Sequence, residues 1–233
     1  MRRLFVLRPE PGASETAARA KAMGLDAVAA PLFEIDPVAW TAPSADEFDG
    51  LLLTSANAVR HAGPPLTALQ ALPVFAVGET TAEAARRAGF TVEQTGTAGI
   101  DDLLGSIAES RRLLHLCGED RRPQATSSHS ILVVPVYRSR PLAVPHELAG
   151  VAGAVAAVHS PRAGKRLAEL VDLESRASVR IAAISPAAAD AVGAGWESVD
   201  AAETIGDEPL LALAARLCQK AARDDDRNEP DRA

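Results

Sequence analysis

Four short stretches join hydroxyl side chains to the start of a helical pattern: "TSANA" at residues 54–58, "GETTA" at 78–82, "HSPRAG" at 159–164 and "SPAAA" at 185–189. Each follows a short apolar run, so each reads as the turn from a buried strand into a helix. A helix start carries unpaired backbone N–H groups and the positive end of the helix dipole. Such a turn either takes a Ser or Thr as a cap or holds an anion. Capping alone explains any single turn. Four turns at the carboxyl ends of parallel strands, two per domain and facing a cleft, are read together as a cradle for a ligand with several negative groups. Thr54, Ser55 and Asn57 belong to the first turn, Gly78, Thr80 and Thr81 to the second, Ser160 and Arg162 to the third, and Ser185 to the fourth. Gly78 lets a backbone approach closely. Arg8 and Arg162, with Lys165, are the cations placed to pair with the ligand directly. Tyr137 in "VVPVYRS", the one tyrosine of the chain, ends an apolar run just before a proline-rich connector, which sets it over the cleft. The competing reading of Tyr137 is packing with a single hydrogen bond.

Other chemistries lack their signatures. No G-x-G-x-x-G follows a strand, and neither a phosphate-binding G-x-x-x-x-G-K-[ST] nor a nucleophile G-x-S-x-G occurs. The five histidines show no metal-ligand spacing, and Cys117 and Cys218 are the only cysteines, so no metal site and no structural disulfide is expected. The 233 residues are 47% hydrophobic, enough for a packed core, but only 3% aromatic, and the formal net charge is −7. Base-stacking platforms and general nucleic-acid binding are disfavoured. The longest small-apolar run, "AGVAGAVAAV", is too short to span a membrane, and "MRRLFVLRPE" is too short for a signal peptide. The expectation is a soluble, cytoplasmic protein, with residues 224–233 as a solvated acidic tail.

The elements that must position these turns occur twice. "RLFVLRP", "AVAAPLFEI", "GLLLTSANAV" and "PVFAVGETTAEAARRAGF" find counterparts in "RLLHLCGED", "ILVVPVYRS", "VAAVHSPRAGKRL" and "IAAISPAAADAVGAGW". Ser160 follows Ser55 by 105 positions, and Pro135 follows Pro31 by 104. Short apolar runs with little polar alternation suit parallel strands buried on both faces. Helical patterns that run from a hydroxyl cap to a glycine, such as Ser14 to Gly24, fill the intervals. The class is α/β: two similar three-layer domains with parallel sheets. Pro37, Pro43, Pro141 and Pro145 mark stiff connectors in the middle of each repeat. Crossings there interleave the chain: residues 1–36 plus 148–223 form one domain, 46–137 the other, and 37–45 and 138–147 are hinge connectors. Two consecutive domains meeting near Arg111 are the plainer alternative. The second repeat is damaged at "RRPQATSSHS", residues 121–130, where a missing or very short helix is expected.

These segments, in this order, resemble the uroporphyrinogen-III synthase family. The resemblance is carried by "LRP", "PLFEI", "LLLTSANAV", "AVGETTAEAARRAG", "LHLCGEDRR", "VPVYRS", "HSPRAGKRL" and "ISPAAADA". It implies two α/β domains, one shared by both ends of the chain, and a lyase of tetrapyrrole and heme biosynthesis. It further implies closure of linear hydroxymethylbilane, which carries eight carboxylates, with loss of water and inversion of the last ring, without cofactor or metal, by a monomer. Tyr137 matches the family's cleft tyrosine and Thr81 its cleft threonine. The fourth turn departs from the pattern, because Ala187, Ala188 and Ala189 stand where the family often has a threonine. A non-catalytic two-domain binding or regulatory module for an anionic small molecule is the alternative.

Overall fold

The computed structural model describes residues 1–97, 99–120 and 127–219. The chain begins with β1 (Leu4–Val6), α1 (Gly12–Ala22), β2 (Ala27–Ala29) and β3 (Phe33–Pro37). It continues through β4 (Gly50–Leu53), α2 (Ala56–His61), β5 (Val74–Val77), α3 (Glu79–Arg87), β6 (Val92–Gly96), α4 (Ile100–Ser106), β7 (Arg112–Gly118) and β8 (Ser130–Pro141). The last stretch holds β9 (Val155–Val158), α5 (Pro161–Leu170), α6 (Leu173–Arg176), β10 (Arg180–Ala183), α7 (Pro186–Ala191), β11 (Ser198–Ala201) and α8 (Asp207–Gln219).

Two compact units result: Met1–Phe33 with the chain from Pro141 onward, and Glu34–Arg140. The first unit's sheet has the strand order β11-β10-β9-β1-β2, all parallel. Leu4 pairs with both Ala27 and Val155, so the earliest strand lies inside a sheet completed by strands from the far end of the chain. The interleaved topology expected from the mid-repeat prolines is therefore the observed one. The second unit's sheet is β3-β8-β7-β4-β5-β6, parallel from β8 to β6. At its edge Val38 N–H donates to Val136 O, while Leu142 N–H donates to Leu32 O, so β3 and β8 run antiparallel.

Alternation along each buried strand supplies both faces of each sheet. Phe5, Ala156 and Ile181 pack with Leu167 of α5 and Ala188 of α7, whereas Leu4, Val6, Val155 and Ala157 pack with Ala17 of α1 and Leu210 and Ala214 of α8. In the second unit Leu51, Leu53, Val74 and Leu114 face Ala58 of α2 and Ala82 and Ala85 of α3. Leu52, Phe75 and Leu113 face Leu103 and Leu104 of α4. Each unit has three layers, with the sheet buried between helices.

Several local expectations shift. Ser14 lies inside α1, which starts at Gly12 after Pro11, and its hydroxyl donates to Glu10 at 2.8 Å. The glycine stops at Gly24 and Gly89 do take positive φ, 83° and 88°. The strand β8 runs on through residues 138–141, where prolines suggested a connector. It gains β3 as a partner there, and Arg140 bonds Glu34 at 2.7 Å and Asp36 at 3.1 Å. Of the abbreviated segment 121–130, residues 121–126 lie outside the described residues and 127–130 contain no helix. The tail 224–233 also lies outside them.

Candidate functional site

In the second unit, β4 and β5 carry the expected residues at their carboxyl ends, whereas Tyr137 lies within β8, four residues before its end at Pro141. Ser55 has extended backbone angles and caps α2, accepting from Asn57 N–H at 3.2 Å. The same hydroxyl lies beside the phenol of Tyr137 and favours its ionised form. Thr54 is engaged behind it, with Oγ1 3.2 Å from Nε2 of the buried His115. The turn after β5 is built differently. The cap of α3 is Gly78, which has no side chain to offer, at φ 81°. Thr81 N–H and Ala82 N–H both donate to Gly78 O at 3.1 Å. Helix geometry leaves the N–H groups of Glu79 and Thr80 as the ones a ligand could meet. Thr80 is exposed, and Thr81 is 5% exposed. A Cβ on Gly78 would meet nothing within 4 Å, so this glycine serves its positive φ and not a close approach by other chain.

Tyr137 is held by its neighbours. A bulge in the β7–β8 ladder pairs Cys117 with Pro135 and then Gly118 with Tyr137, skipping Val136. Tyr137 O accepts from Glu119 N–H at 2.9 Å. The ring of His61 lies 6.4 Å away, tilted by 44°. Burial pushes the phenol's pKa above the ordinary tyrosine value, with the nearby Ser55 hydroxyl pulling the other way. The phenol is thus fully protonated at neutral pH. Burial, and then Arg60, lower the pKa of His61. Gly118, under the phenol, was not among the residues singled out from sequence. A glycine ending the apolar run "LLHLCG" was the available sign.

In the first unit, two of the expected hydroxyls are caps. Ser160 accepts from Ala163 N–H at 3.1 Å above α5, and Ser185 accepts from Ala188 N–H at 3.3 Å above α7. Arg162 lays its guanidinium over the Phe33 ring, 4.6 Å from the centroid. Lys165 is exposed. Arg8 does not stand alone. Its Nη1 is 3.4 Å from both Thr16 Oγ1 and Asp207 Oδ1. Asp207, at the start of α8, also accepts from Thr16 at 3.0 Å, His159 Nε2 at 3.2 Å, and Arg19 at 3.0 and 2.5 Å. These bonds outweigh half-burial and hold its carboxyl well below the usual carboxylate range. Burial keeps His159 neutral by lowering its pKa, and the Asp207 hydrogen bond only partly opposes this. Asp207 and His159 were missed because "GDEPLLALAARL" reads as an ordinary acidic helix start. Among the described residues no group of three His, Cys, Asp or Glu side chains could hold a metal ion, and no helix is long and apolar enough to cross a membrane.

The fold and its strand-end turns define a class: two-unit α/β proteins with an interleaved chain and hydroxyl-bearing strand ends. The model of the uroporphyrinogen-III synthase HemD family matches residues 14–212, and the chain belongs to that family. A uroporphyrinogen-III synthase from Chlorobaculum parvum is 33% identical over 102 residues, which are 40% of this chain and 42% of that protein, so the match spans less than half the length of the curated relative. The crystal structure of uroporphyrinogen-III synthetase from Helicobacter pylori has the same fold, with TM-score 0.62 at 18% identity over 93% of this chain and all of that one. A mutant uroporphyrinogen III synthase from Thermus thermophilus does too, with TM-score 0.54 at 17% identity over 94% of this chain and all of that one.

Proposed function

We propose that the protein is a uroporphyrinogen-III synthase, a cofactor-free lyase that closes hydroxymethylbilane to uroporphyrinogen III with loss of water and inversion of ring D. The observation that carries this reading is the family match over residues 14–212. The local chemistry supports it. Loss of the hydroxyl leaves a reactive azafulvene that closes unaided, but to the wrong isomer. The enzyme's task is to place the substituted carbon of the last ring for attack, through a spiro intermediate, and to assist the leaving hydroxyl. Carboxylates suit the helix starts at Gly78 and Ser160, the side chain of Thr81 and the cations Arg8 and Arg162, with the other hydroxyl turns at Thr54–Asn57 and Ser185 contributing. The phenol of Tyr137, kept protonated by burial, is the proton donor or hydrogen-bond partner for the departing hydroxyl. The reading includes a monomer working in the cytoplasm on a small-molecule tetrapyrrole, with no nucleic acid and no membrane as partner.

Incubation with enzymatically generated hydroxymethylbilane and separation of the isomers tests it. Isomer III above the spontaneous background is expected, and isomer I alone would overturn it. Tyr137→Phe removes only the hydroxyl. The expected result is slower single turnover with isomer III still the main product, and a stability loss of no more than about 1–2 kcal/mol. An unchanged rate removes Tyr137 from the chemistry.

A further inference from the structure

Gly118 ends β7 directly opposite Tyr137 in the ladder. A Cβ placed on it would stand 2.7 Å from Tyr137 Cε2, 2.8 Å from Cζ and 3.1 Å from the hydroxyl oxygen. Its φ is not in the left-handed region, because the positive-φ glycines are others. Conformational freedom therefore does not explain the glycine, and the space taken by the ring does. The three closest atoms all belong to the far end of one side chain, and none is backbone. The bulge between Cys117 and Gly118 sets the register that brings the ring there. Ser55 lies beside the hydroxyl.

We propose that Gly118 is a positioning residue: its missing side chain, together with the adjacent bulge, sets where the Tyr137 hydroxyl stands during cyclisation. This rests on the reading that Tyr137 serves that reaction. An added methyl group is accommodated by moving the phenol, while the backbone stays in place. The ring then leaves its seat beside Ser55, and the phenol becomes more solvated.

The chain contains one tyrosine, so a single resonance from ¹³C-labelled tyrosine reads Tyr137 alone. In Gly118→Ala that resonance should move, and the phenol should titrate at lower pH than in the unmodified protein, since burial is what raises it. Single-turnover cyclisation should slow as much as in Tyr137→Phe, about a hundredfold at most for lost acid assistance. The double variant Gly118→Ala/Tyr137→Phe should be no slower than Tyr137→Phe. An unmoved resonance with unchanged titration overturns the proposal, as do rate losses that multiply in the double variant. If Gly118→Ala does not fold, the same change in a Tyr137→Leu background decides. Equal melting of Tyr137→Leu with and without the alanine supports a contact with the ring, and further loss overturns it. Absence of isomer III activity in the unmodified protein would strike the functional reading and the catalytic half of this proposal, while the resonance still decides the positional half.

Discussion

Replacing Asp207 with Asn tests whether one carboxylate ties four elements together. Asp207 opens α8 and receives bonds from Arg8 after β1, Thr16 and Arg19 of α1, and His159 after β9. Asn keeps the shape and one accepting oxygen, which can still serve Thr16 and His159. Its amide turns a donor toward Arg19, while Arg8, which bonds the same oxygen as Thr16 and His159, loses the charge of its partner. The Arg19 side chain is 52% exposed, so its pair contributes no more than about 1 kcal/mol. Arg8 is 33% exposed and Asp207 22%, so that side of the cluster is closer to a hydrogen bond with a charged partner, about 1.5–3 kcal/mol. The sum is about 1.5–4 kcal/mol, or roughly 3–16 °C in Tm for a chain of this size. The pH dependence gives the sharper test. The folded-state pKa of Asp207 is depressed, so its contribution is complete above the unfolded value near ~3.9 and fades as pH falls toward the folded value. Urea unfolding of both proteins should show a constant gap from pH 8 to about pH 4, then a narrowing one. No gap at pH 7, or a gap that stays constant through the acid limb, would refute the clasp.

His159 is buried neutral, so below about pH 6.5 the unfolded chain takes up a proton that the folded chain refuses, and stability declines. His159→Asn should flatten part of that decline in urea titrations between about pH 6.5 and 5, leaving the part due to His61, whose pKa is also lowered. Thr81→Ala should slow cyclisation about five- to tenfold, the worth of one hydrogen bond of ~1–1.4 kcal/mol, with backbone N–H groups still in place; an undiminished kcat/KM would leave Thr81 as packing. Gly78→Val should cost more than Thr81→Ala, about 1–3 kcal/mol, through its φ of 81° alone since the space is open, which paired melting and turnover measurements can read.

The doubly buried parallel strands were legible because runs such as "LFVL" and "VAAV" lack polar alternation, and only helices on both faces can cover them. The repeat spacing and the mid-repeat prolines made the crossings legible. What stayed hidden was held by long-range pairing. Arg180 interrupts nothing in β10 because Glu197 accepts from its Nε at 2.8 Å and Leu217 O from its Nη1 at 2.9 Å, across 17 and 37 positions. A lone arginine beside "IAAIS" gives no sign of that. Hydroxyl caps at Ser55, Ser160 and Ser185 follow local rules and read correctly as helix starts. The cap at Gly78 did not, because two adjacent threonines suggested a side-chain cap at Thr80, two residues later than the backbone makes it. The joint engagement of Tyr137 by Gly118 and Ser55 depends on a one-residue bulge, which no local pattern announces.

The threading of the two units also sets an order of assembly. Leu4 emerges from the ribosome 151 residues ahead of its partner Val155. At about 5–20 residues per second that is a wait of roughly 8–30 s, long compared with the folding of a small domain. During that wait every strand of the inserted unit is synthesised, and its two ends meet where Arg140 bonds Glu34 at 2.7 Å. Closing that unit turns an entropically expensive loop of more than a hundred residues into a short tether between Phe33 and Pro141. The late strands β9 and β10 then find β1 held nearby instead of at the end of a random coil. A destabilising substitution confined to the inserted unit should therefore slow completion of the other sheet during synthesis, although it removes none of that sheet's contacts.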